Sequence, residues 1–208
     1  MPLQNRVTPF GTLIATPERG QWFGNRGCLH DAAGRLRRDY ATTRWIFCEL
    51  RYQGRRRPLM PLGQYTGLFF LDEATALAAG HRPCAECMRA RYDHFRAAWS
   101  AANPQLGLGA KPRATELDAV LHGERWRPDG MRRTYTAALA DLPNGAMVSV
   151  GAAAGLVWAG KLWRWSPGGY APWAGDRPAT ADVLTPESVV RTLAGGYGPQ
   201  VHPSATPA

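Results

Sequence analysis

The chain has 208 residues and a formal net charge of +9, and arginine supplies 23 of its 25 basic residues. No segment approaches the roughly 18 consecutive apolar residues of a membrane span, so we expect no membrane insertion. The first residues lack the apolar core of a signal peptide. They predict a cytoplasmic protein, whose four cysteines should stay reduced.

The basic charge is concentrated in the first half. Residues 1–100 carry 15 Arg and 8 acidic residues, whereas residues 101–208 carry 8 Arg, 2 Lys and 8 acidic residues. Because guanidinium groups bind phosphate in bidentate fashion and stack on bases, this asymmetry favours a nucleic-acid partner, most simply DNA. The alternative is compositional: an Ala-, Gly-, Arg- and Pro-rich chain can reflect G+C-rich coding.

The first hundred residues predict short strands that lead into two helices. β-branched and aromatic residues favour strands over Thr12–Ala15, Trp45–Tyr52 and Gly67–Leu71. Asp72 is a suitable N-cap for a short helix that ends at Gly80. A second helix is expected to begin near Cys84, and its apolar stripe is formed by Met88, Tyr92, Phe95 and Trp99.

The second half predicts a helix followed by a small sheet. Residues 103–113 have the composition of a linker, and Thr115–Arg125 has a helical pattern. Met147–Val150 and Gly155–Trp165 predict strands of an antiparallel, Trp-rich sheet, and Thr185–Ser188 predicts a helix start with Pro at its first position. We therefore expect an α+β protein with domains at 1–102 and 114–194 and a flexible tail at 195–208.

The cysteines predict a metal site. Cys84 and Cys87 form a Cys-x-x-Cys pair directly after Pro83, a spacing that lets both sulfurs bind one tetrahedral zinc ion. Cys28 and Cys48 lie upstream. Two alternatives remain open: buried inert thiols, and a redox pair, which the absence of a surrounding strand–helix–strand pattern disfavours.

Two blocks of sequence carry a resemblance to a known family. The first is Thr42–Cys48, and the second runs from the paired aromatics before Leu71 through Asp72 and Gly80 to Cys87. Over roughly residues 42–90 the chain resembles the Ada-type zinc domain, which repairs methylphosphotriesters in DNA. The resemblance implies zinc at Cys48, Cys84 and Cys87, with Cys48 as the methyl acceptor.

The chain departs from that family at the remaining ligand. The family's second cysteine lies four residues after the first, where this chain has Tyr52. The nearest replacements are Cys28, which would complete an all-thiolate set, and His30, which Asp31 could orient. Because a less anionic zinc site holds a weaker thiolate nucleophile, the departure favours a structural zinc over methyl transfer.

A second motif is His122-Gly123-Glu124, an H-x-E sequence. Zinc deaminases combine H-x-E with a Cys-x-x-Cys pair, and there the H-x-E comes first, whereas here it follows. His122 as a ligand and Glu124 as a proton shuttle for metal-bound water form one hypothesis. A structural ion pair of Glu124 with a nearby arginine is favoured over it. A metal-dependent nuclease using His30 is a further alternative.

The sequence thus predicts a zinc-containing DNA-binding protein linked to DNA repair or processing, with an enzyme acting on nucleic acid as the alternative. We expect six arginines to contact nucleic acid: Arg26, Arg55, Arg56, Arg57, Arg82 and Arg89.

Overall fold

A computed structural model describes residues 1–61, 63–127 and 129–206, and it describes the backbone but not the side chains of Arg55 and Arg56. These residues contain two six-stranded sheets, a two-stranded ribbon and four α-helices, which confirms the expected mixture of helices and strands. None of the helices in these ranges is long and apolar enough to cross a membrane.

The first sheet is built from the N-terminal half of the chain. The strands of this half are β1 (Gln4–Val7), β2 (Leu13–Ala15), β3 (Trp22–Asn25), β4 (Ile46–Cys48), β5 (Arg51–Tyr52), β6 (Arg55–Arg56), β7 (Leu68–Phe70) and β8 (Arg82–Pro83). The sheet order is β2-β1-β7-β3-β4-β8, and β5 pairs with β6 as a separate ribbon. The single strand expected over Trp45–Tyr52 is therefore divided between β4 and β5.

The second sheet is antiparallel throughout, as expected. Its strands are β9 (Tyr135–Ala138), β10 (Met147–Val150), β11 (Ala153–Trp158), β12 (Lys161–Ser166), β13 (Gly169–Pro172) and β14 (Thr180–Val183). They are ordered β13-β12-β11-β10-β14-β9. Ala159 and Gly160, both at positive φ, form the two-residue turn between β11 and β12.

The helices are α1 (Glu73–Ala78), α2 (Arg89–Ala102), α3 (Ala114–Arg125) and α4 (Glu187–Ala194). The Asp72 side chain accepts a hydrogen bond from the Thr75 N–H at 2.8 Å, so the expected N-cap of α1 is confirmed. α2 begins five residues after Cys84 because the chain first makes a turn through the cysteine pair. Pro186 occupies the N-cap of α4 rather than its first helical position.

The core is continuous between the two predicted domains. Phe47 and Leu77 from the first half, and Leu121 and Val148 from the second, belong to one cluster of buried residues. The predicted linker also takes part, because the buried Asn103 side chain donates to the Ser188 carbonyl at 3.1 Å. The boundary between residues 102 and 114 therefore does not separate two cores.

The segment after Gly195 packs onto α1, unlike the flexible tail expected from its Gly and Pro content. Tyr197 is 1% exposed. The Gln200 N–H donates to Glu73 at 2.9 Å, and the His202 N–H donates to Asp72 at 3.0 Å. Two buried carboxylates from a distant part of the sequence thus anchor the segment, which local composition could not indicate.

Candidate metal centre and basic cleft

Three cysteines converge because two short strands pair in parallel. In β4 and β8, Ile46 is opposite Arg82 and Phe47 is opposite Pro83, so the next residue of each strand is Cys48 and Cys84. The Cys84 N–H donates to the Phe47 carbonyl at 2.9 Å, which secures this register. Cys87 follows in the turn before α2. The Sγ atoms of all three lie within 4.8 Å of one another.

The group has the chemistry of a metal site. Three thiolates bound to one ion at the usual distance of roughly 2.3 Å and in tetrahedral geometry lie roughly 3.8 Å apart, within the observed limit. Cys48 is 2% exposed and Cys84 is 7% exposed, whereas Cys87 is half-buried. Among the residues described, no fourth His, Cys, Asp or Glu joins the group. The site therefore offers a metal three protein ligands.

The thiols differ in acidity. Hydrogen bonds from Cys48 and then Cys87 lower the pKa of Cys84 to about 2, while the hydrogen bond with Cys84 raises the pKa of Cys48. The hydrogen bond with Cys48 lowers the pKa of Cys87, but the hydrogen bond with Cys84, burial and the charge of Cys84 raise it, for a net value of about 11. The positive charge of Arg57 opposes that rise.

Neither expected fourth ligand lies in the cysteine group. The Cys28 thiol is 3.6 Å from the His30 carbonyl oxygen, and the His30 Nδ1 is 2.6 Å from the Thr66 hydroxyl. Asp31 does not orient His30. Its carboxylate instead accepts from Arg35 and Arg37 at 3.1 and 2.8 Å.

His122 and Glu124 are also outside the cysteine group. The His122 ring is half-buried against Tyr40, and burial lowers its pKa. The Glu124 carboxylate accepts from the backbone N–H and hydroxyl of Ser188 at 3.0 and 2.6 Å, with Arg191 at 3.9 Å. Glu124 thus stabilises the N-terminus of α4. Its partners come from α4 rather than from the neighbouring Arg125 or Arg127.

Of the arginines expected to contact nucleic acid, two are buried, one is half-buried and one is exposed among those whose side chains the structure describes. Arg26 and Arg82 are each 1% exposed. Arg82 forms a bidentate ion pair with Asp118. Because Arg26 and Arg82 are both buried, neither can contact nucleic acid at the surface, and the expectation for these two residues is wrong. Arg89 is exposed and pairs with Asp93, and Arg57 is half-buried. The side chains of Arg55 and Arg56 lie outside the described residues.

A cleft of about 460 Å³ adjoins the cysteine group. Phe23, which is paired with Cys48 between β3 and β4, and Arg57 both line it. Among the described residues that line it, four are arginines and none is acidic: Arg6, Arg19, Arg51 and Arg57. Three of its apolar lining residues, Leu3, Leu50 and Leu59, are 41–45% exposed. The cleft therefore combines positive charge with accessible apolar surface.

Sequence reasoning missed most of this cleft. Arg6 lies opposite Phe69 in the β1–β7 pair, and its guanidinium is 4.6 Å from the centre of that ring. Phe23 is opposite Phe69 in the β3–β7 pair. These residues come from distant segments that only strand pairing brings together. The arginine excess of the first half is the one signal that pointed toward them.

The chain matches no protein-family model, and no curated protein or solved structure is significantly similar to it. The inference of function therefore depends on the chemistry of the cysteine group and the cleft.

Proposed function

We propose that this is a zinc-containing nucleic-acid-binding protein, with DNA as its partner and repair or processing of DNA as its context. The observation that carries the proposal is the acid-free, arginine-lined cleft beside the three cysteines. Phosphates supply the negative charge that such a surface attracts, and the exposed apolar side chains of the cleft suit bases that have left the stack.

Zinc is the metal that suits the cysteine group best. Thiolates are soft ligands, and a reduced cluster of three is typical of zinc sites. Bound there, zinc would join the end of β4 to the turn before α2 and would fix the wall of the cleft that Phe23 forms. The residues that would hold it are Cys48, Cys84 and Cys87. This role is structural, and it uses neither His122 nor Glu124.

The test is salt-dependent binding of labelled single-stranded and duplex DNA, measured by fluorescence anisotropy. Replacing Arg19 and Arg51, both exposed, with glutamine removes up to two phosphate contacts. The slope of log affinity against log salt should become shallower by roughly 1.4 for single strands and 1.8 for duplex.

The matched control replaces Lys161 and Arg164, two exposed cations of β12, with glutamine. Both proteins lose the same net charge, so a slope that changes only in the cleft variant supports the proposal. Equal slopes and affinities in wild type and cleft variant would exclude the cleft as the binding surface.

Chemistry at the metal is the second candidate, and the observation that favours it is the three-ligand site. In methyl transfer the Cys48 sulfur would form a bond to carbon as the phosphotriester carbon–oxygen bond breaks, and the phosphodiester would leave with the electron pair. The 2% exposure of Cys48 argues against it. Mass spectrometry after incubation with methylated DNA decides: a methyl group on Cys48 supports repair, and an unmodified Cys48 supports a structural zinc.

A further inference from the structure

A group of three arginines is buried near Trp45, away from the cysteines. The guanidinium carbons of Arg26 and Arg125 lie 3.9 and 4.4 Å from the centre of the Trp45 ring. Arg26 is 1% and Arg125 is 0% exposed. Arg132 is half-buried as a residue, but its Nε and Nη1 atoms are inaccessible to solvent.

Within the part of the chain that the structure describes, these arginines donate hydrogen bonds only to neutral acceptors. Arg26 donates to the Gly11 carbonyl at 2.9 Å and to the His81 Nε2 at 3.1 Å. Arg125 donates to the carbonyls of Gly80 and Thr43. Arg132 donates to the carbonyls of Ala78 and Leu184.

Among the described residues, no carboxylate pairs directly with these positive charges; the charge of Asp39 raises the pKa of Arg26 only from beyond ion-pair distance. Within the described ranges, no carboxylate lies within 4.0 Å of any of the three guanidinium groups; the nearby Asp118 is engaged by Arg82. Burial lowers the pKa of Arg125 to about 9 and that of Arg132 to about 10, so both remain charged at neutral pH. Buried charges without an opposite charge are strongly unfavourable, and stacking on one indole offsets only part of the cost.

The unused donors point to a single place. Arg26 Nη2 and Arg132 Nη1 are buried and have no acceptor among the described residues. A Cβ placed on Gly11 would lie 3.9 Å from the first and 3.6 Å from the second, with no other heavy atom within 4 Å apart from the chain neighbours of Gly11. Gly11 is buried, and its φ of +85° suits glycine. Because Gly11 has no side chain, no side-chain atom of its own separates it from the two guanidinium nitrogens.

We propose that this space is a binding site for a monatomic anion, chloride under cellular conditions, held by Arg26 Nη2 and Arg132 Nη1 beside Gly11. The ion supplies the negative charge that the arginine group lacks. A single spherical ion can be held by two donor atoms, whereas a tetrahedral oxyanion would bury four oxygens and would need more donors than these two nitrogens supply. Because the donor atoms are sealed from solvent, a phosphate attached to a nucleic acid does not reach them. The site is therefore independent of the proposed function.

The first experiment compares thermal unfolding in sodium chloride, bromide, phosphate and gluconate at equal ionic strength. Chloride and bromide should raise Tm along a saturating curve, by roughly 5–10 °C at about 100 times the dissociation constant, relative to gluconate. A rise with phosphate but not with halide overturns the monatomic assignment. Equal Tm values in all four salts overturn the site.

The variant Arg132→Gln should lose the halide response, whereas the matched control Arg133→Gln, at an exposed neighbour, should keep it. A crystal grown with bromide keeps the proposal testable if Arg132→Gln does not fold. An anomalous peak between Gly11 and the two guanidinium groups supports the site, and a crystal without that peak overturns it.

Discussion

Replacing Asp118 with asparagine should destabilise the protein by about 3–5 kcal/mol, because the change leaves a buried guanidinium without its counter-charge. Arg82 donates from Nε to Oδ1 at 2.9 Å and from Nη2 to Oδ2 at 2.8 Å. The side chains are only 2% and 5% exposed. Each charge-assisted hydrogen bond contributes about 1.5–3 kcal/mol. Because asparagine retains one acceptor oxygen, we expect a loss of stability near the lower end of this range.

The Arg82–Asp118 ion pair connects α3 to β8, the strand that directly precedes Cys84. Loss of Asp118 should therefore weaken metal retention as well as stability, since Arg82 holds the strand that places Cys84. The Asp118→Asn change also removes a negative charge that raises the pKa of Arg125, so the pKa of Arg125 should fall. Urea unfolding followed by circular dichroism measures the free energy of unfolding, and a colorimetric assay measures zinc release.

Two further variants separate the loss of a counter-charge from simple damage. Arg89→Gln removes an exposed ion pair with Asp93 and should cost less than about 1 kcal/mol. The double change Arg82→Met with Asp118→Leu replaces both charges by apolar groups and should recover most of the stability. The reasoning is refuted if Asp118→Asn lies within 1 kcal/mol of wild type, or if the double variant is less stable than the single one.

Three other predictions concern the metal, pH and a helix. Metal analysis should find one zinc per chain, and a chelator under reducing conditions should lower Tm; zinc-free protein of unchanged Tm contradicts the centre. Burial and the charges of Arg26 and Arg125 hold the pKa of His81 well below 6.5. Only the unfolded state then gains this proton below about pH 6.5, so stability should fall there by about 1.4 kcal/mol per pH unit. In His81→Gln this pH dependence of stability should vanish. If the variant loses stability below pH 6.5 as steeply as the wild type does, His81 is not its cause. Gly123→Ala, exposed in α3 with open space at its Cβ, should add about 0.5–1 kcal/mol to the free energy of unfolding, and a loss of stability contradicts that reasoning.

The sequence by itself determined the features that depend on neighbouring residues. Asp72 caps α1 because a side-chain oxygen reaches an N–H three residues later, and Gly80 follows the helix at a φ of +82°. The close approach of Cys84 and Cys87 follows from their two-residue separation. The antiparallel sheet of the second half follows from alternating strands and tight turns. In each case a few adjacent residues specify the conformation, so the pattern is visible without the fold.

Only the tertiary structure decided which distant residues meet. Cys48 joins the cysteine pair through the parallel register of β4 and β8, and Arg6 joins Phe69 through β1 and β7. Arg82 and Arg89 both flank the cysteine motif, but Arg82 is buried against Asp118 and Arg89 is exposed. The difference in burial depends on whether a distant residue packs against each of them. Strand partners and buried ion pairs link segments tens of residues apart. Local composition is the same for a buried and an exposed arginine, and burial is set by what packs against it.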